Sequence, residues 1–278
     1  MVRIITDTTS DLTMERGKEL GVDIMCLRVR FGDEDYVCGK ELSNEQFYEK
    51  LESSPHHPAT SAVNPTEFTE VFKKYLDAGD EIVGIMFSSK MSATYQNAVI
   101  AADEFDTDKI HIIDSEIGLT GEALLVEHAV KLRDEGKSAQ EIEDAIRELI
   151  PRIRVYLVVD TMEYLKRGGR ISSGKAFVGS LLHVHPVMRI VSDGALPIAK
   201  VKGKKSCNAW LVDKLKEEPA DTDYPLVIGH SNALEIANEF EQQLRDAGIS
   251  NEFKTNCIGP IIGTHAGPNC LGIGYVLK

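Results

Sequence analysis

The chain has 278 residues, 42% hydrophobic and 27% charged, with 31 basic against 44 acidic side chains and a formal net charge of −13. That length suits one large or two ordinary soluble domains, and the negative balance argues against a nucleic-acid partner. Residues 1–6 run straight into an apolar strand pattern without a signal peptide, and no apolar run is long enough to span a bilayer, so a cytoplasmic protein is expected.

Residues 2–6 read as a buried strand that stops at the polar turn Asp7-Thr-Thr-Ser-Asp11. A helix pattern follows over 13–20, with Gly21 as its stop. Residues 24–31 alternate as one strand, and 32–35 turn. Ser43-Asn-Glu-Gln46 and Asn64-Pro-Thr-Glu67 are capping boxes, the second with proline at the first helical position. Residues 82–87 and 110–113 read as strands, and 98–102 as helix. Ser138-Ala-Gln-Glu141 caps a helix that Pro151 ends. This rhythm predicts an α/β fold, with an N-terminal mostly parallel sheet flanked by helices.

The pattern changes near residues 150–155. Residues 155–159 are apolar, and Lys166-Arg-Gly-Gly-Arg170 is a basic, flexible segment. Residues 186–191 and 195–201 flank Ser192-Asp-Gly194 as a β-hairpin. Strands at 226–229 and 252–258 enclose a helix at 234–244. We therefore expect an N-terminal domain over 1–153 and a smaller C-terminal α+β domain over 154–278, with no repeats or low-complexity tracts.

Four hydroxyl residues, Ser88, Ser89, Ser92 and Thr94, sit between the strand at 82–87 and the helix after it. A helix N-terminus offers free N–H groups and partial positive charge, which suit a phosphate or carboxylate. Thr60-Ser61 forms a second cluster, in a loop stiffened by Pro55 and Pro58. Either cluster can equally serve only to cap its helix. In parallel sheets, however, ligands sit beyond the carboxyl ends of the strands, where both would lie.

Gly263-Thr-His-Ala-Gly-Pro268 reads as a Gly-rich turn that lets His265 approach a ligand. Arg167 and Arg170 are either an anion clamp or part of a solvated turn. His183-Val-His185 has metal-ligand spacing but no third ligand nearby, and the lysines at 200–205 read as a surface patch. Cys26, Cys38, Cys207, Cys257 and Cys270 are odd in number and lack C-x-x-C spacing, which points to reduced thiols, not to disulfides or zinc. Nucleophile-elbow, Walker A, G-x-G-x-x-G and H-E-x-x-H motifs are absent, so neither metal nor cofactor is expected.

Five ordered motifs together resemble the DegV family over essentially the whole chain. They are Ile5-Thr-Asp-Thr-Thr-Ser-Asp11; Thr60-Ser61 with Pro65; Ser88-Ser-Lys-Met-Ser92-Ala-Thr94-Tyr-Gln96; Tyr164-Leu-Lys-Arg-Gly-Gly-Arg170; and Ile258-Gly-Pro-Ile-Ile-Gly-Thr-His265-Ala-Gly-Pro268. The resemblance implies two domains with a long-chain fatty acid, such as palmitate, held between them. It implies that Thr60 and Ser92 grip the carboxylate, with Ser61, Ser89, Thr94, Arg170 and His265 as further ligand-binding candidates. It also implies a bacterial, non-enzymatic carrier that presents the fatty acid to a separate ATP-dependent fatty acid kinase for phospholipid synthesis, with Lys202 and Lys204 in the contact region. Ala93 stands where the family usually has glycine, and Val63-Asn64 where Pro-Ser is usual. The alternative is an acyl- or phosphoryl-transfer enzyme with Ser89 or Ser92 as nucleophile and His265 as base.

Overall fold

A computed structural model describes residues 1–172 and 184–278. Strand β1 (Val2–Asp7) passes through a 3-10 turn, Thr8–Ser10, to helix α1 (Met14–Leu20). The Thr13 side chain accepts the Arg16 N–H at the start of α1, and Gly21, at φ 63°, ends it in the left-handed region. The single strand expected at 24–31 is two strands, β2 (Val22–Met25) and β3 (Arg28–Phe31). Between them the Leu27 N–H donates to the Thr8 hydroxyl at 3.2 Å, so the chain leaves β1 there. Strand β4 (Glu34–Val37) and helix α2 (Asn44–Ser53) follow, then β5 (Ala59–Ser61) and helix α3 (Pro65–Asp77). Both expected capping boxes are formed, Ser43 with Gln46 and Asn64 with Glu67.

Next come β6 (Glu81–Met86), α4 (Thr94–Ala102) and β7 (Ile110–Asp114). Strands β2-β1-β6-β7, in that order, make a four-stranded parallel sheet, while β4-β3-β5 make a small antiparallel one. Helix α5 (Thr120–Asp134) was not legible in the sequence. Its first seven residues are buried all round, so it carries no amphipathic stripe, and Leu119 before it has φ 57° and no side-chain cap. Helix α6 (Ala139–Leu149) opens on the Ser138–Glu141 capping box and runs into a 3-10 turn containing Pro151.

The remaining elements are β8 (Ile153–Val158), α7 (Glu163–Gly168), β9 (Val184–Val191), β10 (Gly194–Lys202), α8 (Lys204–Glu217) and β11 (Leu226–His230). They end with α9 (Leu234–Asp246), β12 (Phe253–Cys257), α10 (Pro260–Ala266) and β13 (Leu271–Val276). The six strands form one mixed sheet in the order β10-β9-β8-β13-β11-β12, wider than the parallel sheet before it. The β9–β10 hairpin matches its sequence pattern. Edge strand β10 carries a register irregularity between Pro197 and Ala199, which blunts it against pairing with another chain.

Three local expectations change. The segment at 166–170, expected to be flexible, finishes α7, and Gly169 at φ 65° is its left-handed cap. The expected Gly-rich turn at 263–268 is mostly helix, with His265 in the last turn of α10. The basic run at 200–205 is divided between the end of β10 and the start of α8.

Helix α5 packs on β1 and β6 from one side and on β8, β11 and β13 from the other. A single buried cluster joins Val83 and Ile85 of the parallel sheet to Val155 and Leu157 of the mixed one through Leu124 and Leu125. Among the described residues the five cysteines form no disulfide, and no helix is long and apolar enough to cross a membrane.

Candidate functional site

A cavity of about 210 Å³ lies between the two sheets. Leu27, Phe87 and Leu119 line it from the first half of the chain, Leu157 and Ile190 from the second, and Ile262 from α10. Its polar lining consists of Thr60, Ser61, Ser92, Arg170 and His265. Each of these five stands in a motif singled out from the sequence, and four separate segments bring them together.

Thr60 lies on β5 opposite Val29, which places its side chain beside α10. Its Oγ1 is 3.1 Å from His265 Nε2. His265 Nδ1 is buried without a partner. Burial, helped by the nearby positive charges of Arg170 and His57, pushes the imidazole down to about 4, so the ring is neutral at ordinary pH. A neutral ring that holds Thr60 and has no carboxylate on its other nitrogen differs from the base of a serine triad.

Ser92 sits just before α4. Its Oγ accepts the Thr94 N–H at 3.2 Å and lies 3.0 Å from Thr94 Oγ1. Thr94 is fully buried behind it and does not line the cavity. Ser89 does not join the group: it is exposed, and its N–H donates to Asp114 Oδ1 at 3.1 Å. Arg170 is fixed by two carbonyls, donating from Nε to Met91 at 3.2 Å and from Nη1 to Gly168 at 2.6 Å. Arg167, the other half of the expected clamp, instead pairs with Glu163 on the exposed face of α7.

The cavity rests on a buried polar cluster that sequence reasoning took for a plain turn. Asp7 Oδ1 accepts from the Thr9 N–H at 2.8 Å and the Thr9 hydroxyl at 2.6 Å, and Oδ2 accepts from the Phe87 N–H at 3.0 Å. Glu122 on α5 meets the Thr6 hydroxyl at 3.1 Å and the same Thr9 hydroxyl at 2.8 Å. One threonine proton cannot serve two carboxylates. Burial raises both carboxyls, but Asp7 accepts from three donors, which favours its ionised form, and this leaves Glu122 as the better place for a proton shared with the Thr9 hydroxyl. Burial and the charge of Asp7 hold Glu122 well above the ordinary carboxylate range. The cluster fixes Phe87 in the cavity wall and Leu119 at the head of α5. The signal available was the pair of carboxylates in Asp7-Thr-Thr-Ser-Asp11; Glu122 lay in a helix without a legible pattern.

Lys202 is exposed at the end of β10. His183 and the Lys204 side chain lie outside the described residues. His185 Nδ1 is 3.2 Å from Asp160 Oδ1, and the described residues hold no group of three metal-ligating side chains.

Comparison with known proteins finds this α/β fold in solved structures over nearly the whole chain. The model of the DegV family, described as "Uncharacterised protein, DegV family", matches residues 1–278. A DegV domain-containing protein of Caldanaerobacter subterraneus subsp. tengcongensis is 36% identical over 100% of this chain and 99% of its own. The structure of a DegV family protein from Thermus thermophilus, described by its fatty acid binding, superposes with TM-score 0.91 at 27% identity, covering 99% of both chains. DegV from Bacillus subtilis, described as a fatty acid binding protein, gives TM-score 0.87 at 28% identity, over 100% of this chain and 99% of that one. The chain belongs to the DegV family.

Proposed function

We propose that the chain binds a long-chain fatty acid in the cavity between its sheets, with Thr60 and Ser92 at the carboxylate. The observation that carries this reading is the composition of the cavity wall: apolar throughout, except for two hydroxyl clusters, one arginine and one neutral histidine. Each buried methylene contributes about 0.8 kcal/mol, so a tail of about fifteen yields on the order of 12 kcal/mol gross. Association and ordering cost several kcal/mol of that. The tail therefore supplies most of the affinity.

The polar residues have separate tasks in this reading. Ser92 and Thr60 hydroxyls orient the head group, Thr94 holds Ser92, and His265 holds Thr60. Ser61 adds a further hydroxyl, and Arg170 supplies positive charge. The chain is then a carrier without a catalytic group of its own, folded as two domains divided at 153/154 and resident in the cytoplasm. Its fatty acid is presented to a separate ATP-dependent kinase, with the Lys202 and Lys204 region on the contact face. The placement of His265 against Thr60, with Ser89 outside the cavity, favours binding over the acyl- or phosphoryl-transfer alternative.

Native mass spectrometry of the purified protein, followed by solvent extraction, tests the first part. A stoichiometric fatty acid released on denaturation is expected. An empty protein that also takes up neither palmitate nor oleate would overturn the reading. Thr60→Ala with Ser92→Ala should weaken or misorient the bound lipid; unchanged affinity and unchanged acyl-phosphate formation with a kinase would remove those two residues from the head-group role.

A further inference from the structure

A second and larger concavity, about 900 Å³, opens on the other side of α10. The starts of α1, α2 and α9 and the loop before α10 form its walls. Asp11 lies at its base and is only 6% exposed. Asp11 Oδ1 accepts the Gly259 N–H at 2.8 Å, whereas Oδ2 is buried with no hydrogen-bond partner. A buried carboxylate oxygen left unpaired is costly unless something fills the space beside it.

The groove has a single sign of charge. Glu15, Glu45 and Glu235 line it together with Asp11, and among the described residues neither lysine nor arginine does. It also offers donors at one place. Ala233 gives α9 no side-chain cap, and Leu234, Glu235 and Ile236, the first residues of this thirteen-residue helix, whose N–H groups have no intrahelical acceptor, line the groove. Leu234 is 55% exposed at the same rim, an apolar surface on which the stem of a long cationic side chain can rest.

We propose that this groove receives a lysine or arginine side chain on an extended segment of a partner protein, with Asp11 as the anchoring carboxylate. The cation enters over Asp11, whose carboxyl turns from its buried position to meet it, and is flanked by the three glutamates. A backbone carbonyl of the same segment accepts from the α9 N-terminus. The side chain satisfies the acid and the segment's backbone satisfies the helix, which is why a peptide segment fits better than a simple ion. Burial and the nearby charge of Asp7 push Asp11 up to about 8, and a cation against its carboxyl acts in the opposite direction, so binding releases the Asp11 proton.

Fluorescence anisotropy with a dye-labelled hexapeptide Gly-Ser-Arg-Leu-Ser-Gly, its glutamine counterpart and free arginine amide tests the proposal. The arginine peptide should bind at least about tenfold more tightly than the glutamine peptide, and its affinity should fall with added salt. Asp11→Asn keeps the left-handed backbone at φ 56° accessible and should lower the affinity about tenfold. Glu15→Gln with Glu235→Gln changes only exposed positions, so it is safe for folding, and should weaken binding about threefold or more. Equal binding of the two peptides, or wild-type affinity in both variants, overturns the site. Arginine amide binding as tightly as the peptide overturns the partner-segment claim. Lipid extracted from the same samples reports on the cavity separately, so loss of one activity does not count as loss of the other.

Discussion

Gly168 stands so close to His265 that a β-carbon there would lie 1.9 Å from Nδ1. The last residue of α7 thus sets the position of the imidazole, and through it the position of Thr60. At an ordinary helical site, alanine in place of glycine stabilises by about 1 kcal/mol. Here Gly168→Ala should instead destabilise by about 1–3 kcal/mol, because the ring must move into a packed wall. Urea denaturation checks the sign. The same variant should retain less extracted lipid than wild type, since Thr60 loses its support.

His265 also gives a pH signature. Its folded value of about 4 lies below the ordinary histidine range, so between these values the unfolded chain binds more protons than the folded one. Stability from this group is full above about pH 6.5 and is lost as pH falls towards 4, by roughly 3 kcal/mol at most. Comparing lipid-free wild type with His265→Gln isolates the effect, because the opposite slope of the buried Asp11 is common to both. A difference between the two that stays flat from pH 7 to pH 4 would contradict the buried, neutral ring.

Ser92 and Thr94 should behave as a coupled pair. Ser92→Ala strips the fully buried Thr94 of its hydroxyl partner and of the acceptor for its N–H, and should cost about 1–3 kcal/mol. Adding Thr94→Val removes the stranded hydroxyl, so the double variant should cost less than the sum of the singles. The coupling, expected at about 0.5–3 kcal/mol, is read from a thermal or denaturant double-mutant cycle.

Asp7 and Glu122 make an asymmetric prediction. Glu122→Gln replaces a protonated acid by an amide that can still donate to Thr9, and should cost less than about 1.5 kcal/mol. Asp7→Asn puts an amide among three donors, and should cost about 3 kcal/mol or more. Equal costs, or the reverse order, would mean that the proton sits on Asp7. Chemical denaturation at pH 7 decides between them.

Local chemistry was legible wherever it was written in adjacent residues. The three capping boxes, the Gly21 stop and the β9–β10 hairpin follow from short-range hydrogen bonding and backbone preference. The five polar residues of the cavity were visible because each stood in a motif of unusual composition. Long-range packing was less visible. Helix α5 is buried on several sides, so its sequence lacks the stripe that periodicity needs. The break between β2 and β3 depends on a hydroxyl nineteen residues earlier, at Thr8. Ser89 shared every local feature of Ser92, yet it faces solvent because its N–H is claimed by Asp114, at the end of the neighbouring strand β7.

Helix α10 has seven residues and spans about 10 Å. Gly263 on this helix is so close to Tyr48 that an added β-carbon would lie 2.8 Å from the phenol oxygen, and Tyr48 lines the acidic groove. The adjacent Ile262, with His265 and Ala266, lines the apolar cavity. The two chambers therefore share a partition one helix thick. Trimming Ile262 enlarges the apolar cavity alone, whereas shifting the helix gives room to one chamber at the expense of the other, so a redesign for a bulkier lipid that moves α10 would have to be drawn with the opposite chamber in view.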